Sequence, residues 1–170
     1  MIHILTAVLD SLFPPSESQL ILRRFPNPTL RAHYQPSGRG GVTFLAPYHT
    51  PVIKAAITAG KFEHNLKALR LVSTLLSEHL NQTKPQRTLL VPIPLHSKRR
   101  QERGYNQVEV VIKAAVASLP PTYTLAHLLT RTKYTQPQTS LVKSERERNL
   151  AGAFTYREPT INWENIDRVI

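Results

Sequence analysis

The sequence predicts an α/β fold, and three observations predict it. Thr88-Leu89-Leu90-Val91 is an apolar run closed by Pro92 and Pro94, the pattern of a buried strand. Gln107 to Ala117 follows as a helix, apolar at Val108, Val110, Val111, Ile112, Ala114, Ala115 and Val116 and therefore expected to be well buried. Leu125 to Leu129 is a second short strand, and after a long loop Ile166 to Ile170 begins another apolar run. Strands alternating with a helix give α/β order.

Taken from the start, Ile2 to Phe13 has apolar residues at 2, 5, 9, 12 and 13, which is helical spacing, and Pro14-Pro15 ends it. Such a helix either docks on its own domain or binds a partner. Ser16 to Gly41 is rich in Pro, Ser, Gly and Arg and reads as irregular or weakly extended. Val42-Thr43-Phe44-Leu45 is a short strand ended by Pro47. Pro51 to Gly60 is a helix with proline in its first turn and Gly60 as its stop. Phe62 to Leu80 continues as a longer helix, with Phe62, Leu66, Leu69, Val72, Leu76 and Leu80 along one stripe. Lys61, between the two, is either a surface lysine at a helix end or a site residue. Gly152-Ala153-Phe154 is a turn into an extended edge.

The totals bound the answer. The chain has 170 residues, 41% of them apolar, enough for a sizeable core. No window of about 18 apolar residues runs uninterrupted, which excludes a membrane-spanning helix. The opening residues lack a basic region and a small-residue cleavage site, so no signal peptide is read and cytoplasm is the expected compartment. Zero cysteines exclude disulfides and a thiolate zinc site. The net charge of +11 favours phosphate-bearing partners: nucleotides, nucleic acid or a phosphorylated sugar. That charge is clustered. Residues 98–103 and 131–148 carry nine of the 22 basic residues, while 158–170 has three acids and one base.

The first basic stretch holds Lys98, Arg99, Arg100 and Arg103 against the single acid Glu102, and Gly104 then permits a tight turn into the helix at Gln107. A basic loop between a strand's carboxyl end and a helix N-terminus is where α/β folds hold phosphate. The second, Thr130 to Arg148, is a long loop without periodicity, followed by Asn149. Arg131, Lys133, Lys143, Arg146 and Arg148 make it positive, and Thr132, Thr135, Gln136, Gln138 and Thr139 add hydroxyls and amides. Such a loop either folds down on an anionic ligand or stays solvated, with Glu145 and Glu147 pairing to Arg146 and Arg148.

Together the stretches resemble the ComF family, relatives of the type I phosphoribosyltransferases. The resemblance is carried by Val91-Pro92-Ile93-Pro94-Leu95 with Arg99, by Arg103-Gly104-Tyr105-Asn106-Gln107, and by Arg131, Thr135, Gln138, Leu141, Arg146, Asn149, Gly152 and Phe154. Weaker similarity runs through Val52-Ile53, Lys61-Phe62 and Leu9 to Pro14. It implies a type I phosphoribosyltransferase-like parallel sheet with flanking helices over 51–170. Residues 1–50 would be a helical or irregular N-terminal extension.

The family binds phosphoribosyl pyrophosphate with magnesium. By resemblance, Lys98, Arg99, Arg100, Arg103, Gly104, Asn106 and Gln107 would hold the pyrophosphate. Arg103 would lead, with Asn106 and Gln107 bracing the turn. Arg131, Thr135, Gln138, Arg146 and Asn149 would belong to a flexible loop closing over the site. The family's cysteine zinc knuckle has Ser16 and Ser18 in its place, so zinc is not expected. The paired-aspartate, Thr-Thr-Gly loop that should follow Arg168-Val169-Ile170 is not in the sequence, which reads as a C-terminally truncated domain with little expected activity of its own. The resemblance also implies DNA uptake. The alternatives are a non-enzymatic competence factor associated with single-stranded DNA or with DNA-processing proteins, and an inactive remnant that pairs with another chain.

Overall fold

The computed structural model describes residues 10–11, 14–26, 29–83, 86–135, 148–158 and 161–170. The fold is mixed α/β, with helices and a three-stranded parallel sheet. The chain divides into two compact units, through His79 and from Leu80 onward. That division differs from the boundary expected after residue 50, because the helices following Pro51 share one core with residues before it.

In the first unit, helix α1 (Glu17–Arg24) begins where the Ser16 hydroxyl accepts the Gln19 N–H at 3.1 Å, and carries Arg23 and Arg24 in its last turn. This corrects the irregular reading of 16–41: a serine cap satisfies an orphan N–H and fixes the helix start. A short 3-10 turn (Arg31–His33) precedes a hairpin of β1 (Ser37–Arg39) and β2 (Val42–Phe44). Gly40 and Gly41, at φ 58° and 77°, supply the paired left-handed residues of its two-residue turn.

Helix α2 runs Pro51–Phe62, past Gly60. Gly60 is therefore not a stop; it is buried mid-helix, where a Cβ would overlap the Leu69 side chain. The break comes at 63–65, with His64 at φ 54°, and Asn65 Oδ1 accepts the Ala68 N–H at 3.0 Å to restart the chain as α3 (Leu66–Gln82). Phe62 ends the earlier helix and is exposed, outside the stripe assigned to it. Leu30, Val52, Ile53, Ala56, Ala59, Ala68 and Leu75 form this unit's core, with Ile21, Leu22 and Phe25 packed against it. The expected helix over 2–13 lies outside the described residues except for 10 and 11.

The second unit is built on β3 (Thr88–Leu90), buried at every position. It pairs in parallel with β4 (Tyr123–Leu125) on one side and β7 (Arg168–Val169) on the other, Thr88 facing Tyr123 and Arg168. A fully apolar run suits a central parallel strand covered on both faces. Two further helices, α4 (Ser97–Arg103) and α5 (Gln107–Val116), lie between β3 and β4. Ile112 and Ala115 of α5 are buried while Val110, Val111 and Val116 are half-buried, so this helix is covered less completely than its composition suggests. β5 (Leu129–Arg131) and β6 (Phe154–Tyr156) form an antiparallel pair, so the strand expected at 125–129 is two strands meeting at a corner. Leu89, Ala126 and Leu128 form a second apolar cluster with Val91, Ile161 and Ile166.

Candidate functional site

Two segments leave the sheet at the carboxyl ends of neighbouring parallel strands. Residues 91–96 lead from β3 into α4, and residues 126–128 lead from β4 into β5. Parallel neighbours release their following segments at the same edge, the position at which open α/β sheets bind ligands. This is the physical reason that stretches distant in sequence can meet.

The first basic stretch is not a loop but the helix α4. His96 Nδ1 accepts the Lys98 N–H at 3.3 Å to cap its start, and Gly104, left-handed at φ 78°, ends it. Its charged side chains have distinct partners. Arg103 Nη1 donates to Gln107 Oε1 at 2.7 Å. Arg100 instead turns to Glu109, Nη2 to Oε2 at 3.7 Å. Asn106 is buried and bonds in two directions: Oδ1 accepts the Val108 N–H at 3.0 Å, capping α5, and Nδ2 donates to the Ile93 carbonyl at 2.9 Å. The turn at 104–106 is thus tied to the proline-rich segment after β3.

The second stretch meets the first at Tyr134. Lys98 Nζ lies 5.1 Å and the Arg99 guanidinium 5.7 Å from the Tyr134 ring centroid, and the His96 ring meets it edge-on at 5.3 Å. Arg131, at the end of β5, donates through Nη2 to the buried Thr135 hydroxyl and lies over the Phe154 ring at 5.5 Å. Arg131 Nε is buried with no hydrogen-bond partner among the described residues. Burial, and then the charge of Arg99, hold both the Arg103 and the Arg131 guanidinium below the ordinary arginine pKa. Arg99 thus adds its charge to that felt by both Arg103 and Arg131, a repulsion that an anion would relieve.

Gln138 and Arg146 lie outside the described residues, and Asn149 is half-buried in a helical turn at 148–150. Lys61 lies in the other unit with Nζ 5.0 Å from the Phe62 centroid, a local contact at the end of α2. His96, Glu109 and His127 are the residues that sequence reasoning does not single out, and Tyr134 counts in it only with Tyr105 and Tyr123 as the few aromatics near the basic stretches, fewer than a stacking platform usually needs. A histidine two residues before a basic run and a lone acid in an apolar helix are the signals that mark two of them.

Among the described residues no group of three or more His, Cys, Asp or Glu is arranged to hold a metal ion. Among the described residues no helix is long and apolar enough to cross a membrane. No protein-family model, no curated protein and no solved structure matches the chain.

Proposed function

We propose that this chain is a ComF-like, phosphoribosyltransferase-related protein that binds phosphoribosyl pyrophosphate through its pyrophosphate group. One observation carries the proposal: the two basic stretches meet where Lys98 and Arg99 of the first lie against Tyr134 of the second, and the charge of Arg99 is felt by both Arg103 and Arg131. Two of the three guanidiniums are partly desolvated and share the repulsion of Arg99, so a polyphosphate oxygen set gains charge-assisted hydrogen bonds where the free protein has strain. In a transfer reaction the same cations would stabilise the charge on departing pyrophosphate.

Titration calorimetry with phosphoribosyl pyrophosphate and with inorganic pyrophosphate tests this. Arg103→Ala removes a charged donor worth about 1.5–3 kcal/mol, a loss of roughly tenfold to a hundredfold in affinity. The Trp163 fluorescence melt should stay in place as the fold control. Absence of binding by the wild-type chain refutes the proposal.

A second reading has its own observation. Tyr134 is 45% exposed and flanked by Lys98 and Arg99, the pairing of stacking ring and cation used on single-stranded nucleic acid. Oligonucleotide binding that falls steeply with salt, in a protein indifferent to pyrophosphate, would favour a DNA-associated role.

A further inference from the structure

The buried carboxylate of Glu109 sits among three basic side chains from three segments of the second unit. Glu109 is 7% exposed. Its Oε1 accepts from Lys113 Nζ at 2.6 Å, one turn along α5, and lies 3.8 Å from His127 Nε2, between β4 and β5. Its Oε2 lies 3.7 Å from Arg100 Nη2 of α4. The hydrogen bond from Lys113 outweighs the burial and, with His127 and Arg100, holds the carboxyl below the usual glutamate range, so it is ionised at neutral pH. A charge taken out of water is retained only where its partners are fixed.

What those partners carry gives the arrangement its meaning. Helix α4 has no buried residue, so no apolar side chain fixes its orientation. The tie from Arg100 to Glu109 is an anchor that such a helix lacks in its own sequence. The other tie reaches the segment 126–128, which continues directly into β5 and Arg131. One carboxylate is thus shared by the helix bearing Arg99 and Arg103 and by the segment bearing Arg131.

We infer that Glu109 is a positioning residue that sets the spacing between α4 and β5, and with it the width of the anion site. The inference rests on the anion-site reading above. Its physical rival is plain charge: a carboxylate near Lys113 and Arg100 damps the positive potential that would attract an anion. The two accounts predict opposite results. Removing the charge while keeping the shape, Glu109→Gln, tightens anion binding if damping is the role and weakens it if positioning is. Glu109→Asp keeps the charge but withdraws it by one methylene, so it leaves a damping role intact and breaks a positioning one.

The test is pyrophosphate affinity by titration calorimetry at several salt concentrations for the wild-type chain and both variants. Positioning predicts a loss of about tenfold in each variant with the slope of affinity against salt unchanged. Tighter binding by Glu109→Gln, or wild-type binding by Glu109→Asp, overturns it. Hydrogen exchange supplies a readout that needs no ligand. The Arg100 and Gly104 amides, bonded to the His96 and Arg100 carbonyls at 2.9 and 2.7 Å, should exchange faster in both variants. Unchanged exchange there overturns the anchoring role. Failure of the wild-type chain to bind pyrophosphate sinks the anion site itself, while the exchange result still decides what Glu109 does.

Discussion

Replacing Asn106 with alanine removes two bonds from one buried side chain. The first is the cap on α5, the Val108 N–H accepted at 3.0 Å, and loss of an asparagine cap costs about 1 kcal/mol. The second is the Nδ2 donation to the Ile93 carbonyl at 2.9 Å. Its loss removes the net worth of a hydrogen bond, about 1 kcal/mol. The sum is about 2 kcal/mol. With a urea dependence of about 2 kcal/mol per molar for a unit of this size, the midpoint should fall by roughly 1 M.

Trp163 is the only tryptophan in the chain and lies in the second unit, so its fluorescence reports the unit that carries Asn106. Asn106→Asp separates the two bonds. Aspartate caps a helix as well as asparagine does but cannot donate to Ile93, so the drop should be about half as large. A midpoint for Asn106→Ala within about 0.2 M of wild type, well inside the ~1 M expected from these bond energies, would refute the idea that this side chain ties the turn to the post-β3 segment.

Gly60→Ala should destabilise the first unit. The helix-propensity gain of up to about 1 kcal/mol is offset by overpacking of about 1–3 kcal/mol against Leu69, which is itself buried. A urea midpoint raised above wild type would show that Leu69 swings aside. Glu109 should contribute to acid sensitivity. Its folded pKa is depressed, so its stabilisation is complete above the unfolded value of about 4.3 and is lost as pH falls through the folded one. The stability difference between wild type and Glu109→Gln should accordingly be constant near neutrality and shrink below about pH 4, and a difference that grows on acidification would contradict the ion-pair assignment.

How legible these features are in the sequence depends on whether local pattern decides them. β3 is readable because an unbroken apolar run between polar residues and two prolines has few other uses. Gly104 is readable because a glycine between a basic stretch and an apolar helix suits a left-handed turn, and it stands at φ 78°. α4 is not readable: Ser97–Arg103 has no apolar period because it buries nothing, and only its ends and its ion pairs define it. α1 has its signal in Ser16-Glu17-Ser18-Gln19, a serine three residues before a glutamine, but the surrounding prolines and arginines argue for loop. The meeting of Lys98 and Arg99 with Tyr134 depends on two strands lying parallel side by side, which neither basic stretch encodes. The Glu109–Lys113 pair is legible as an i,i+4 spacing, but the burial of Glu109 is not, since the approach of Arg100 and His127 is tertiary.

The pairing of β3 with β7 sets an order of events when the chain is made. Thr88 meets Tyr123 across a modest loop but meets Arg168 only after a separation of about 80 residues, a closure costing on the order of 4 kcal/mol in chain entropy. During synthesis, β3 and β4 have both emerged well before β7 exists. For that interval the most apolar strand of the unit presents one satisfied edge and one bare edge, with the Leu89 carbonyl, which later receives the Ile170 N–H, still open to any extended segment. The nascent second unit is therefore most exposed to wrong pairing through its centre, and release from that state waits on β7.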